Sequence, residues 1–139
     1  NNPILDRYAM KFAKHVGLPL YRVSPSLHQI MRGGKFIFLP DVGEFLSYIN
    51  NATYIVTDSF HGTAFSINFN KQFIEILPNT KTGSRNQSIL QLTGLQDRIV
   101  TDYNDFSIAT KMIDYTFVNG IIKEERKKSY CILKRIIEE

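Results

Sequence analysis

Apolar positions along the chain fall into two alternating rhythms. Residues 4–16 place Leu5, Tyr8, Phe12 and Val16 at spacings of three and four, which predicts an amphipathic helix with Gly17 as its stop. Leu18 to Val23 is continuous, apolar and β-leaning, a strand candidate closed by Ser24-Pro25-Ser26. Gly33-Gly34 marks a turn, and Phe36-Ile37-Phe38-Leu39 reads as a short strand. Asp41 with Glu44 three residues on forms a capping-box pattern, which opens a helix whose inward stripe is Val42, Phe45, Leu46 and Ile49. Thr53–Thr57 predicts a strand, 60–69 a helix, and Phe73–Leu77 a strand stopped by Pro78.

Asn79 to Asn86 is a polar loop. Residues 86–93 read as a helix ended by Gly94, and Arg98-Ile99-Val100 as a last short strand. The region 102–116 is mostly loop with one turn of helix. Residues 117–137 predict a long helix with Val118, Ile121, Ile122, Ile132, Leu133 and Ile136 inward. Strands alternating with helices imply parallel β-α-β units. The expected class is α/β: one Rossmann-like domain over residues 1–139, a parallel sheet with helices on both faces. The dinucleotide fingerprint G-x-G-x-x-G is absent.

Composition changes this picture little. A chain of 139 residues, 43% hydrophobic and 22% charged, suits one globular domain with a real core. No apolar run is long enough for a membrane-spanning helix. The single cysteine, Cys131, excludes an intramolecular disulfide and a multi-cysteine zinc site, and suits a cytosolic setting. Cys131 is expected to be buried or half-buried among Ile132 and Leu133. The net charge of +4 owes much to Lys123, Arg126, Lys127, Lys128, Lys134 and Arg135, with Glu124, Glu125, Glu138 and Glu139 between them. This reads as a solvated helix face; the sharper reading is contact with an anionic membrane surface, at the inner face, or with an anionic polymer. No nucleic-acid-binding motif appears. The chain starts Asn1-Asn2-Pro3 and enters a helical pattern almost at once, so we expect it to be part of a longer polypeptide.

The chemistry concentrates in Thr57-Asp58-Ser59-Phe60-His61-Gly62-Thr63-Ala64-Phe65-Ser66. This run joins a predicted strand to a predicted helix, and in open α/β sheets ligands bind at the carboxyl ends of strands. Unpaired N–H groups at a helix start favour an anion. His61 is the candidate proton donor or anion ligand. Ser59 and the amides of Gly62 and Thr63 are candidate binders of anionic oxygens, with Gly62 permitting close backbone approach. Arg85 is a candidate clamp for a phosphate or carboxylate. Asp58 is expected to cap the following helix. An Asp58-x-x-His61 metal half-site lacks a second ligand cluster, so no metal is expected.

The run from Asn51 to Ile67 resembles the polysaccharide pyruvyl transferase family. Pro40–Leu46, Asn70–Ile74, Ser84-Arg85 before Ser88-Ile89-Leu90, Gly94–Arg98 and Arg126–Ser129 add to the resemblance, which is strong over 40–137 and weak over 1–39. It implies the C-terminal half of a two-domain transferase similar to GT-B glycosyltransferases, with an N-terminal domain elsewhere in the same polypeptide. It also implies transfer of the enolpyruvyl unit of phosphoenolpyruvate onto two hydroxyls of a saccharide acceptor, a surface or capsular polysaccharide precursor, to form a ketal without a metal or organic cofactor. His61 then acts as general acid or phosphate ligand, and Ser59, Gly62, Thr63 and Arg85 bind the donor. Other branches of the family carry an arginine where this chain has Ser59. Two alternatives remain open: a GT-B-type domain binding a nucleotide-activated sugar, and an inactive binding domain of the same fold.

Overall fold

In a computed structural model of the chain, residues 2–78 and 83–138 are described. Helix α1, Pro3–Val16, opens where Asn2 accepts hydrogen bonds from the amides of Ile4 and Leu5, and closes on Gly17 at φ 70°. Strand β1 is Tyr21–Ser24 and β2 is Lys35–Phe38, with a 3-10 turn, Leu27–Arg32, between them. Helix α2, Val42–Asn51, carries the capping box: Asp41 accepts the Glu44 amide at 2.8 Å, and Glu44 accepts the Asp41 amide at 3.1 Å. Replacing Asp41 by alanine removes one arm of that box and is expected to cost about 1 kcal/mol in thermal unfolding.

Strand β3 is Tyr54–Thr57, helix α3 Phe60–Asn68, strand β4 Gln72–Glu75 and helix α4 Gly83–Thr93. The expected strand over 98–100 shrinks to a single parallel bridge between Glu75 and Ile99, preceded by a 3-10 turn at Gln96–Arg98. The region 102–116 holds one more such turn, Ser107–Ala109, before the long helix α5, Tyr115–Glu138.

The class is α/β, and both strand pairings are parallel. Ladders join β1 to β2 and β3 to β4; among the described residues no ladder links the two pairs. The β3–β4 pair has helices on both faces, because side chains alternate along each strand. Tyr54, Val56, Ile74 and Ile76 face α1 through Tyr8 and Phe12. Ile55 and Phe73 face the opposite way, onto Ile67 of α3, Leu90 of α4 and Val118 of α5. Burial, with Asp105 nearby, pushes the Tyr8 phenol up to about 12. The β1–β2 pair is tied to α1 by charge: Asp6 pairs with Arg22, and with Arg32 at 2.8 Å.

Three expected burials do not occur. Val42 is 75% exposed, because the buried stripe of α2 narrows to Phe45, Leu46 and Ile49. The apolar stripe of α5 is covered only over its first turns, where Val118 is buried and Ile121 and Ile122 are half-buried. Beyond them Ile132, Leu133, Ile136 and Ile137 are between 54% and 74% exposed. Cys131 lies on that same uncovered stretch and is exposed. No helix among the described residues is long and apolar enough to cross a membrane.

Candidate functional site at the start of helix α3

The turn after β3 is closed by its own side chains. Thr57 Oγ1 accepts the Ser59 amide at 3.0 Å. Ser59, at φ −96° and ψ 131°, is the N-cap of α3, and its hydroxyl accepts the Gly62 amide at 3.5 Å. The capping role expected of Asp58 thus falls to Ser59, which directly precedes the first helical residue. A serine at that position presents its oxygen to the N3 amide.

This cap moves the free donors. The Gly62 amide is engaged by Ser59 Oγ, and the Thr63 amide donates to the Ser59 carbonyl at 2.9 Å. The amides with no hydrogen-bond partner among the described residues are those of Phe60 and His61, the first two of the helix. The helix start therefore presents its dipole and two N–H groups two residues earlier than expected.

Gly62 is small for a different reason from the one expected. It is buried, and a Cβ there would collide with Oγ1 of Thr57. The close approach seen here is between α3 and β3. Thr63 is also wholly buried, with its hydroxyl 3.0 Å from the Ser59 carbonyl and 2.6 Å from Glu75 Oε2.

The remaining candidates meet at the surface around one ring. His61 is exposed, with its imidazole edge-on to Phe60 at 6.0 Å between centroids. Arg85, exposed on the first turn of α4, stands with its guanidinium carbon 5.5 Å from the centre of the same Phe60 ring. Ser59 is exposed too, and its hydroxyl hydrogen is not needed for the cap, where the oxygen accepts. The structure thus sets His61 and Arg85 each against the Phe60 ring, next to the exposed Ser59 cap, with Gly62 and Thr63 buried.

Two residues under the turn were missed by sequence reasoning. Glu75, at the end of β4, is wholly buried; its carboxyl is hydrogen-bonded to the Thr63 hydroxyl and accepts from Asn86 Nδ2, each at 2.6 Å. Asn86 also donates to the Asp58 carbonyl at 3.2 Å, which ties α4 to the end of β3. Burial pushes the Glu75 carboxyl up, its bonds to Thr63 and Asn86 pull it down, and the charge of Asp58 adds a smaller upward push. The available signal was an acid set among Phe73, Ile74, Ile76 and Leu77, where an unpaired charge is costly. No group of three metal-ligating side chains occurs among the described residues.

A family model described as polysaccharide pyruvyl transferase matches residues 1–80. The match takes in the first 39 residues, where the sequence resemblance was weakest, and the whole Ser59–Ser66 helix start. It stops before Arg85. No curated protein matches the chain, and no solved structure does.

Proposed function

The chain belongs to the polysaccharide pyruvyl transferase family, and on that premise we propose that the start of α3 is the phosphoenolpyruvate site of a transferase that builds pyruvate ketals on saccharides. One observation carries the reading: an exposed histidine and an exposed arginine both contact the ring of Phe60, at a helix start whose first two amides have no partner among the described residues. The donor is an enol phosphate bearing a carboxylate. Helix-start amides suit its phosphate. A guanidinium suits either anionic group, because it can offer two parallel hydrogen bonds. The Ser59 hydroxyl supplies a further donor.

The chemistry asks for a proton at the methylene carbon of the donor. His61 delivers it, which leaves C2 electron-poor. An acceptor hydroxyl bonds to C2 and gives up its proton, the C–O bond to phosphate breaks, and inorganic phosphate leaves. A second hydroxyl of the same sugar then bonds to C2 and closes the ketal; of the two hydroxyl protons, one restores His61 and the other goes to the released phosphate. His61 supports this reading because it is exposed on the first turn of α3 and, among the described residues, no hydrogen bond holds its ring. No metal or organic cofactor enters these steps.

The finer architecture belongs to the same reading. The domain is the Rossmann-like C-terminal half of a GT-B-like enzyme, working on the cytoplasmic side on a surface or capsular polysaccharide precursor. The second wall of the cleft, with most of the acceptor site, comes from an N-terminal domain of the same polypeptide. The uncovered apolar stripe of α5 supports such a neighbour.

The test is a thermal shift on the full-length protein. Phosphoenolpyruvate is expected to raise the melting temperature, since a ligand at a hundred times its dissociation constant adds about 2.7 kcal/mol. Arg85→Ala is expected to weaken the apparent affinity about tenfold, in line with the loss of one charge-assisted bond. A shift with uridine or guanosine diphosphate and none with phosphoenolpyruvate would move the site to a nucleotide-sugar transferase. No shift with either would favour a binding domain without this chemistry.

A further inference from the structure

Glu75 takes no part in the steps above, yet its carboxyl is wholly buried directly beneath the site. Its two side-chain partners, Thr63 and Asn86, offer it no charge. The Thr63 hydroxyl owns one hydrogen and faces two acceptors, the Ser59 carbonyl at 3.0 Å and Glu75 Oε2 at 2.6 Å. The Asn86 amide owns two hydrogens and also faces two acceptors, Glu75 Oε1 at 2.6 Å and the Asp58 carbonyl at 3.2 Å. An ionised Glu75 has no hydrogen to give; it takes the Thr63 hydroxyl hydrogen and leaves the Ser59 carbonyl to the Thr63 amide, at 2.9 Å. With a proton on Oε2, Glu75 donates to Thr63, Thr63 donates to Ser59, and Asn86 serves both of its acceptors. Every polar hydrogen in the cluster is then used once.

The surroundings favour that form. Burial disfavours the carboxylate, the bonds to Thr63 and Asn86 offset part of that push, and among the described residues the charge acting on it is that of Asp58, which repels a second anion. The groups offered by α3 and α4, Thr63 and Asn86, are uncharged. Arg98, next to the residue that bridges Glu75, turns its guanidinium to Asp97 and to the Lys111 carbonyl.

We propose that Glu75 is a positioning residue, kept as the neutral acid, whose carboxyl locks the His61-bearing start of α3 to the Arg85-bearing start of α4. Only its consequence for donor binding rests on the function proposed above; the protonation state does not. Isotope-edited infrared spectroscopy of the full chain at about neutral pH should show a protonated-carboxyl C=O band that Glu75→Gln removes. A wild-type spectrum with no such band overturns the proposal. Glutamine copies the neutral acid, accepting from Asn86 and donating to Thr63, so Glu75→Gln should keep the wild-type melting temperature at acid pH.

The pH dependence has a definite sign. A carboxyl raised above its ordinary value of 4.5 contributes stability that is full below that pH and is lost as pH rises through the folded value. The melting temperature of the wild type should therefore fall relative to Glu75→Gln as pH rises. A Glu75→Gln protein destabilised equally at every pH would mean that the charge itself is needed, and would overturn the idea. Thr63→Val cuts the same lock from the other side without adding volume, and should diminish the phosphoenolpyruvate-induced shift several-fold while the protein stays folded. A folded Thr63→Val protein with the full shift overturns the positioning role. If the wild type itself shows no shift, the donor assignment fails, and the infrared and melting results still judge Glu75.

Discussion

Replacing His61 by alanine in the full-length protein is expected to lower phosphoenolpyruvate-dependent turnover by about 10²- to 10⁴-fold, with no change in melting temperature. The fold-change is the usual worth of a positioned general acid, equal to about 2.7–5.5 kcal/mol of barrier. The thermal half follows from the surroundings of the side chain. His61 is exposed, makes one ring contact with Phe60 and forms no side-chain hydrogen bond among the described residues. Its backbone is helical, and alanine is the best helix former. Little in the folded state is therefore lost with the imidazole.

The two roles open to His61 separate in the kinetics. A proton donor acts only in the transition state, so kcat and kcat/KM fall together. A phosphate ligand holds ground state and transition state alike, so KM rises while kcat stays. His61→Gln sharpens the difference, since an amide can donate a hydrogen bond to phosphate but cannot protonate carbon. Turnover unchanged in both variants would remove His61 from the chemistry.

The strand-turn-helix around the motif was legible because each of its signals is local. Tyr54, Ile55 and Val56 favour a strand, and the Asp41–Glu44 pair fixes the start of α2 without help from the rest of the chain, although the cap of α3 was read one residue early, at Asp58 instead of Ser59. Burial was less legible. Periodicity reports which face of a helix is apolar, not whether anything covers it. Ile132, Leu133 and Ile136 continue the rhythm of Val118 and Ile122 but run past the end of the domain's described surface.

The same limit explains the shifted anion site. Sequence places small polar residues at a helix start but does not say which amides their side chains consume. Ser59 takes the Gly62 amide, so the free donors become those of Phe60 and His61. Glu75 was invisible because its partners, Thr63 and Asn86, lie 12 and 11 residues away and meet it only once β3, α3 and α4 have packed. Arg85 was named from the resemblance and from its place in a neighbouring loop, and the family match ends before it. Its case now stands on the position over Phe60, beside the one histidine of the motif.

Gly62→Ala is the substitution expected to damage the fold most. On helix propensity alone the change would stabilise, by about 1 kcal/mol at most. The packing reverses the sign. The added methyl collides with Thr57 Oγ1 and also crowds Thr57 Cβ, which lies 3.1 Å from the Cβ position. Thr57 cannot swing aside freely, because it is buried and its hydroxyl accepts the Ser59 amide at 3.0 Å. The start of α3 must lift off β3 instead, and the net loss in stability should be about 1–3 kcal/mol, the usual cost of overpacking. Ser59, Phe60 and His61 move with that lift, so the phosphoenolpyruvate-induced shift should be lost in the same variant. A double-mutant cycle isolates the cause. Thr57→Ala alone gives up a hydrogen bond worth about 1 kcal/mol, but it removes the oxygen that the new methyl strikes. Thr57→Ala with Gly62→Ala should therefore be less destabilised than the sum of the single changes, by more than the few tenths of a kcal/mol expected for independent sites. Strict additivity would mean that the helix start does not lean on Thr57, and that the narrow gap between α3 and β3 is not what requires a glycine at this position.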